Sequence, residues 1–177
     1  MPGGFALTGS TGTKDTLAAG NLDATAAFTN NYSVTPATLT LSGTKTLQNA
    51  VTQQDEPMTD GQFHFLVFAA ENGQKVGNAI ATGKSMANGS IVFDKINTFE
   101  KEKTYQLWVE ETGSEPTGYS YDKGHYLLTV NVTDNHEGAL EAEVAGGVYV
   151  DADGNEASKT DLAFANTYKP EEAQVKL

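Results

Sequence analysis

Residues 103–111 read KTYQLWVEE, and every second side chain in the middle of this stretch is apolar. Successive side chains of a β-strand point to opposite faces, so these residues share one face of an extended chain. That face carries Tyr105, Leu107 and Val109. The same spacing brings Glu111 to it. The stretch therefore predicts a half-buried β-strand whose apolar face ends in a carboxyl group.

The alternation recurs along most of the chain. Further strands are predicted at 38–45, 62–69, 90–93, 126–133, 139–144, 147–150 and 161–168. They are separated by segments rich in turn-forming residues, at 72–74, 88–90, 116–118, 134–138 and 151–156. No long amphipathic helix pattern is present. Short strands at this spacing predict an all-β fold, an antiparallel β-sandwich.

The composition excludes several classes of protein. The 177 residues include 23 acidic and 11 basic side chains, with a formal net charge of −12. Nucleic acids and anionic membranes attract basic surfaces, so neither is an expected partner. The absence of cysteine excludes disulfides, thiolate catalysis and cysteine-based zinc sites. No stretch reaches the roughly 18 apolar residues of a membrane span, so membrane insertion is not expected. Nothing resembles a signal peptide, and we expect the chain to be a segment of a longer protein.

A short motif occurs twice, as FTNNY at 28–32 and as FANTY at 164–168. Each copy is followed by a proline and then by an alternating stretch, at 37–41 and at 173–177. Recurrence at one fixed offset is the signature of tandem units. We predict three parts: the C-terminal remnant of a preceding repeat at 1–32, a complete repeat at 33–169, and a linker with the first strand of a following repeat at 170–177.

Three polar side chains continue the apolar faces of three different strands: Lys45, Glu111 and Asn166. Buried charges are unfavourable unless they are paired or neutralised. A desolvated lysine becomes a nucleophile, and a glutamic acid in an apolar pocket keeps its proton. The amine could then attack the Asn166 carboxamide while the acid donates a hydrogen bond to the carbonyl oxygen, which yields an amide and ammonia. The alternative is a buried Lys–Glu ion pair with the asparagine as its hydrogen-bond partner.

Several longer stretches resemble a known family. They are KTL at 45–47, DGQFHFLV at 60–67, GSIVFDKI at 89–96, YQLWVEETGSEPTGYSYD at 105–122, YLLTVNVTDNHEGAL at 126–140 and FANTY at 164–168. In this order they are similar to the streptococcal-type pilin isopeptide-linkage domain, a Cna-B-like module of Gram-positive pilins and cell-wall-anchored adhesins. The resemblance implies an Ig-like β-sandwich with an autocatalytic Lys–Asn isopeptide bond beside an acidic residue. By motif, Lys45 and Asn166 are the cross-linked pair and Glu111 is the catalytic acid.

The identity of the acid depends on strand register. A β-bulge would exchange the faces of Glu110 and Glu111, although parity favours Glu111. The apolar pocket around the three groups is expected to be lined by Phe63, Phe65, Phe93 and Phe164. The chain shows no LPxTG-like sorting motif and no pilin-type lysine motif, which leaves open whether the parent protein is a polymerised pilin or a single-chain adhesin.

No metal or cofactor is expected. The stretch DADGNEASKTD at 151–161 resembles a calcium loop, but its glycine is fourth where an EF-hand has it sixth, so a β-turn is predicted. The three histidines are dispersed along the chain. Trp108 faces away from the apolar side of its strand, which predicts packing under a loop or against a neighbouring repeat, or a small ligand-contact site.

These features predict a structural function. The chain is expected to be a stalk repeat of a Gram-positive surface pilin or adhesin, outside the cell and anchored to the cell wall through another part of its parent. Its expected partners are neighbouring repeats of the same chain, with a host-surface ligand as a second candidate. It is not expected to be an enzyme, because the reactive set consumes itself. The alternative function is an adhesive module that binds a host glycan or protein through its loops or Trp108.

Overall fold

The computed structural model describes residues 6–7 and 30–171. This part of the chain contains strands and turns but no helix, and hence no helix able to cross a membrane. The strands are β1 (Ala6–Leu7), β2 (Asn30–Asn31), β3 (Ala37–Leu39), β4 (Ser42–Asn49), β5 (His64–Glu71), β6 (Gln74–Ser85), β7 (Ser90–Phe93), β8 (Ile96–Phe99), β9 (Lys103–Thr112), β10 (Tyr119–Ser120), β11 (His125–Asp134), β12 (Leu140–Val150), β13 (Glu156–Ser158) and β14 (Leu162–Tyr168). The strand predicted at 173–177 and most of the predicted remnant 1–32 lie outside the described residues.

Ten of the described strands form one sheet, in the order β10-β14-β4-β7-β6-β5-β9-β11-β12-β13. Neighbours in it are antiparallel, except that β4 and β14 run parallel. The sheet folds over on itself: the Phe164 ring on β14 lies 4.9 Å from that of Phe65 on β5 and 5.2 Å from that of Tyr126 on β11. These strands are not sheet neighbours, so the contacts cross the interior. The predicted all-β sandwich is confirmed.

The core between the layers is built by strict alternation. Every second side chain of β11 is buried, namely Tyr126, Leu128, Val130 and Val132. On β9, Leu107 and Val109 are buried in the same way. Burying one such side chain stabilises the fold by about 1.5–3 kcal/mol. A one-residue slip would turn each set to solvent, so the core also fixes the register of the strands.

Two predicted strand regions have different limits. The stretch 38–45 is divided between β3, which pairs with β8, and β4, which continues to Asn49. The stretches 139–144 and 147–150 are one strand, β12. Its pairing with β11 shifts where Thr129 faces Gly146 and Val130 faces Val144, which leaves Ala145 as a β-bulge. The break in the sequence pattern is therefore a bulge within one strand.

The alternation did not predict β6 or β8. β6 is mostly exposed, and residues 77–80 leave its ladder with β5 before pairing resumes at Ala81. β8 buries two side chains that lie three positions apart, so it has no two-residue period. The turn between β5 and β6 is as predicted, because Asn72 and Gly73 adopt the positive φ values (51° and 76°) that tight hairpins favour.

The parallel pair fixes where the chain enters and leaves the main sheet. β4 begins beside the start of β14, with Gly43 opposite Leu162. Both strands end together, with Asn49 opposite Tyr168. The chain therefore enters β4 at one end of the pair and leaves β14 at the other. Tension applied to the two ends of the domain would pull these neighbouring strands in opposite directions.

Candidate functional site

Lys45 and Asn166 lie on adjacent strands. In the parallel pair of β4 and β14, Lys45 is opposite Phe164 and Leu47 is opposite Asn166. The two polar residues are thus two positions apart on the same face, within reach of a long side chain. Each is only 1% exposed. The alternation that fills the core therefore also buries an amine and a carboxamide.

Glu111 reaches the same point from β9. It pairs with Phe65 of β5, and its side chain is fully buried. Nζ of Lys45 donates to Oε2 at 2.7 Å, and Nδ2 of Asn166 donates to Oε1 at 2.7 Å. One carboxyl group therefore bridges the amine and the amide nitrogen.

Glu110 points to the outer face of the sheet. Its carboxylate accepts from Nζ of Lys75 at 2.6 and 2.9 Å and from the indole N–H of Trp108 at 2.7 Å. The pairing of β9 with β5 and β11 has no register shift here. No bulge exchanges the two faces, and the structure brings Glu111 rather than Glu110 to the cluster.

The Asn166 carbonyl oxygen has a partner that the sequence analysis missed. The backbone N–H of Asp122 donates to Oδ1 at 2.8 Å. This donor fixes the orientation of the carboxamide, because a backbone N–H needs an acceptor and Nδ2 of asparagine offers only donor hydrogens. The carboxyl group of Glu111 consequently contacts the amide nitrogen, not the carbonyl oxygen to which it was predicted to donate. A backbone donor is available on almost every residue, so it leaves no signal in the sequence.

Aromatic rings surround the cluster. The Lys45 amine lies 4.9 Å from the centroid of the Phe63 ring, and Tyr121 packs edge-on against that ring at 5.4 Å. The other predicted lining rings are also buried, with Phe65 contacting Phe164 at 4.9 Å and Phe93 at 6.1 Å. Tyr121 was not among the predicted lining residues. The walls of the pocket are therefore largely apolar, which strengthens electrostatic interactions inside it.

Burial sets the protonation states of the two titratable groups. Desolvation lowers the pKa of Lys45, and the nearby Glu111 carboxyl opposes this only in part. Desolvation likewise raises the pKa of Glu111 against the opposing effects of Lys45 and Asn166. Both directions favour the neutral forms. An amine with a free lone pair and a carboxylic acid with a transferable proton are the forms that amide formation requires.

The remaining candidate features are local structures. The segment 151–156 forms a turn in which the Asp151 carboxylate accepts from the backbone N–H groups of Asp153 and Asn155 at 2.9 and 2.8 Å. Within the described ranges no three His, Asp or Glu side chains form a group that could hold a metal ion. Trp108 stacks on His125 with ring centroids 3.4 Å apart. Its indole N–H is bonded to Glu110, so the ring belongs to a hydrogen-bonded cluster on the outer face.

The chain is similar to one known protein family and to several solved structures. The family model of the Spy0128-like isopeptide containing domain (FctA) matches residues 41–169. No curated protein matches the chain. Similar solved structures include a mutant of the major pilin from Streptococcus pyogenes, with 19% identity and a TM-score of 0.42 over 75% of this chain and 51% of that one. The T-13 major pilin protein from the same organism has 17% identity and a TM-score of 0.43 over 76% and 55%. The chain thus spans about half the length of these pilins.

Proposed function

The chain belongs to the family of Spy0128-like isopeptide containing domains, and we propose that it is a load-bearing unit of a Gram-positive surface pilus with a Lys45–Asn166 isopeptide bond. The observation that carries this proposal is the buried Glu111 carboxyl group that bridges the Lys45 amine and the Asn166 amide nitrogen. Desolvation makes a fully buried ion pair a poor stabiliser. Conversion to an amide would remove the titratable amine from the core.

The proposed reaction conserves all atoms. The lone pair of the neutral Lys45 amine attacks Cγ of Asn166, and the carbonyl π electrons move to Oδ1. Glu111 gives its proton to Nδ2 and takes one from the attacking nitrogen, so it returns to its starting state. The bond from Cγ to Nδ2 then breaks, ammonia leaves, and the carbonyl re-forms as a secondary amide. The reaction takes place once per molecule and uses no external substrate or cofactor.

Intact-mass analysis tests the bond directly. Purified protein should be one ammonia lighter than the mass calculated from its sequence. Peptide mapping should recover a branched peptide that contains both Lys45 and Asn166. The mapping is needed because ring closure at an Asn-Gly step such as Asn88–Gly89 also releases ammonia. An unmodified mass in folded protein, or ammonia loss without the branched peptide, would show that Lys45 and Asn166 are not cross-linked.

A pair of adjacent variants tests the assignment of the acid. Glu111→Ala should give a folded domain that keeps the full sequence mass, because the proton shuttle between the two nitrogens is gone. Glu110→Ala should still lose ammonia, since its carboxylate contacts Lys75 and Trp108 on the outer face. Both proteins are compared by intact mass and by circular dichroism. Ammonia loss in Glu111→Ala, or its absence in Glu110→Ala, would contradict the assignment.

Strand register supports the proposed repeat organisation. β1 pairs with β2 through Ala6 and Asn31, and β10 pairs with β14 through Ser120 and Thr167. Aligning the two FxNxY motifs makes Asn31 equivalent to Thr167, so the two pairs occupy equivalent positions. The sequences around the partner strands also correspond, PGGFAL at 2–7 and PTGYSY at 116–121. Both observations support a preceding repeat that ends at 32. The proposed organisation continues with a complete repeat at 33–169 and with a linker and the first strand of a following repeat at 170–177.

This organisation specifies the proposed setting of the domain. Its immediate partners are neighbouring repeats of the same chain, joined end to end through the two ends of the β4–β14 pair. A pilus unit works outside the cell, attached to the cell wall through another part of its parent. The outer-face cluster of Trp108, His125 and Glu110 is satisfied by its own hydrogen bonds and stacking, so it gives no specific support to the adhesive alternative.

A further inference from the structure

The carbonyl oxygen of Asn166 faces a single described donor, the backbone N–H of Asp122 at 2.8 Å. In the proposed reaction this oxygen gains a negative charge when the Lys45 amine adds to Cγ. We infer that the Asp122 N–H stabilises this oxyanion, and that a side-chain latch between Asp122 and Tyr149 holds the N–H in position. The inference rests on the proposed cross-linking reaction and adds to it a group that Glu111 does not supply.

The latch is defined by the side-chain contacts of Asp122. Its Oδ1 accepts the Tyr149 hydroxyl at 2.6 Å and the Gly124 backbone N–H at 2.9 Å. Its Oδ2 accepts the Ala165 backbone N–H at 3.3 Å. The segment between β10 and β11 is thereby fastened to β12 on one side and to β14, next to Asn166, on the other. The Asp122 backbone N–H is thus held in position between β12 and β14.

Tyr149 is suited to this role. Its ring packs against that of Tyr126 with centroids 4.9 Å apart. Burial and the hydrogen bond to Asp122 raise its pKa, so the hydroxyl stays protonated and donates. A β-carbon at Gly124 would overlap the Tyr149 hydroxyl and its ring. The glycine therefore permits the close approach on which the latch depends.

Glu111 and the Asp122 N–H have separate roles in the proposed reaction because they contact different atoms of the reacting groups. The Glu111 carboxyl faces the two nitrogens and moves protons between them. The Asp122 N–H faces the oxygen and accommodates the charge that forms there. Donors placed in advance at a developing oxyanion accelerate acyl transfer, and loss of one such donor slows the reaction by about 10²–10³-fold. Loosening the donor without deleting it should have a smaller effect of about tenfold or more.

The test compares two tyrosine variants in a time course of bond formation. Protein is made in a short cell-free synthesis pulse, quenched in acid at intervals, and scored by intact mass for ammonia loss. Tyr149→Phe removes the hydroxyl that holds Asp122, and we expect about tenfold or more slower ammonia loss than in wild type. Tyr126→Phe is the matched control, because its buried hydroxyl also bonds to β14, through Ala163 at 2.9 and 3.0 Å, but does not touch Asp122. It should react within about threefold of wild type.

Substitutions at Asp122 separate the latch from the charge of its carboxylate. Asp122→Asn keeps an oxygen that can accept from Tyr149 and Gly124 and loses only the acceptor for the Ala165 N–H, so it should react faster than Tyr149→Phe. Asp122→Ala loses all three contacts and should be at least as slow as Tyr149→Phe. Equal slowing by Asp122→Asn and Asp122→Ala would show that the charge matters and would overturn the latch.

A stability control and the rate in the wild-type protein separate failure of the latch from failure of the cross-link. A Lys45→Met background, in which no bond can form, provides the stability control. There Tyr149→Phe and Tyr126→Phe should lower the melting temperature by similar amounts. Slower bond formation in Tyr149→Phe alone would then not be explained by a less stable fold. If wild type loses ammonia and the two tyrosine variants react equally fast, the latch is wrong while the cross-link stands. If wild type never loses ammonia, both the cross-link and the latch are wrong.

Discussion

Pulled from its two ends, the wild-type domain should extend by almost nothing between Lys45 and Asn166, whereas Lys45→Met should release nearly the whole interval. The chain enters β4 and leaves β14 at opposite ends of a parallel pair, so tension shears these two strands. With the proposed bond in place, the force passes from one strand to the other through an amide. The interval of about 120 residues would otherwise lengthen by about 400 Å, at roughly 3.3–3.6 Å per residue.

Single-molecule force spectroscopy measures this contrast directly. Glu111→Gln should extend as far as Lys45→Met, since it also prevents the bond while leaving the Lys45 side chain in place. Lys84→Met, which changes an exposed lysine of β6, should behave as wild type. Long extension events in wild-type protein would mean that no covalent bond joins β4 to β14, and the stalk function would lose its mechanical basis.

The melting temperatures of the same proteins should differ widely. A bond that closes a loop of this size lowers the entropy of the unfolded chain by an amount worth about 4–5 kcal/mol, by analogy with a disulfide closing about 100 residues. For a domain of this length that corresponds to a melting temperature roughly 10–20 °C lower in Lys45→Met. Trypsin should also cleave this variant much faster, because cleavage follows the population of opened molecules.

The fold itself should survive these substitutions. Met is unbranched and close to Lys in length, so Lys45→Met keeps the packing against Phe63 while it removes the amine. Calorimetry and circular dichroism on wild type, Lys45→Met, Glu111→Gln and Lys84→Met give the comparison. Melting temperatures that agree within a few degrees across all four proteins would show that no covalent loop closes the wild-type domain.

Strand parity was sufficient to find the three polar members of the cluster. Lys45, Glu111 and Asn166 each continue an apolar face, and a charged group in that position needs a partner inside the core. Parity also separated Glu111 from Glu110, because the register of β9 is regular. The sequence could not indicate Asp122, because its contribution to Asn166 is a backbone N–H group. Nor could it predict which atom of the carboxamide would face Glu111.

The limits of the fold prediction have similar physical causes. Strands with one buried face, such as β9 and β11, have a two-residue period and were found. The alternating buried positions of β6 are Ala81, Gly83 and Ser85, which give no pattern of large apolar residues in the sequence. β8 buries Ile96 and Phe99 three positions apart, so it has no two-residue period. The parallel pairing of β4 with β14 joins the two ends of the repeat. Local alternation carries no information on such a long-range contact.

The position of β14 also sets the order of events during folding. This strand lies between β10 and β4, so both keep an unpaired edge until the last part of the repeat arrives. Asn166 comes with it, and the amine of Lys45 has no carboxamide to attack before then. The cross-link would thus form only in a fully folded domain, and its presence would show that β4 and β14 had paired in the native register. A molecule later denatured by heat would still hold its first and last main strands side by side, and would refold from a closed ring.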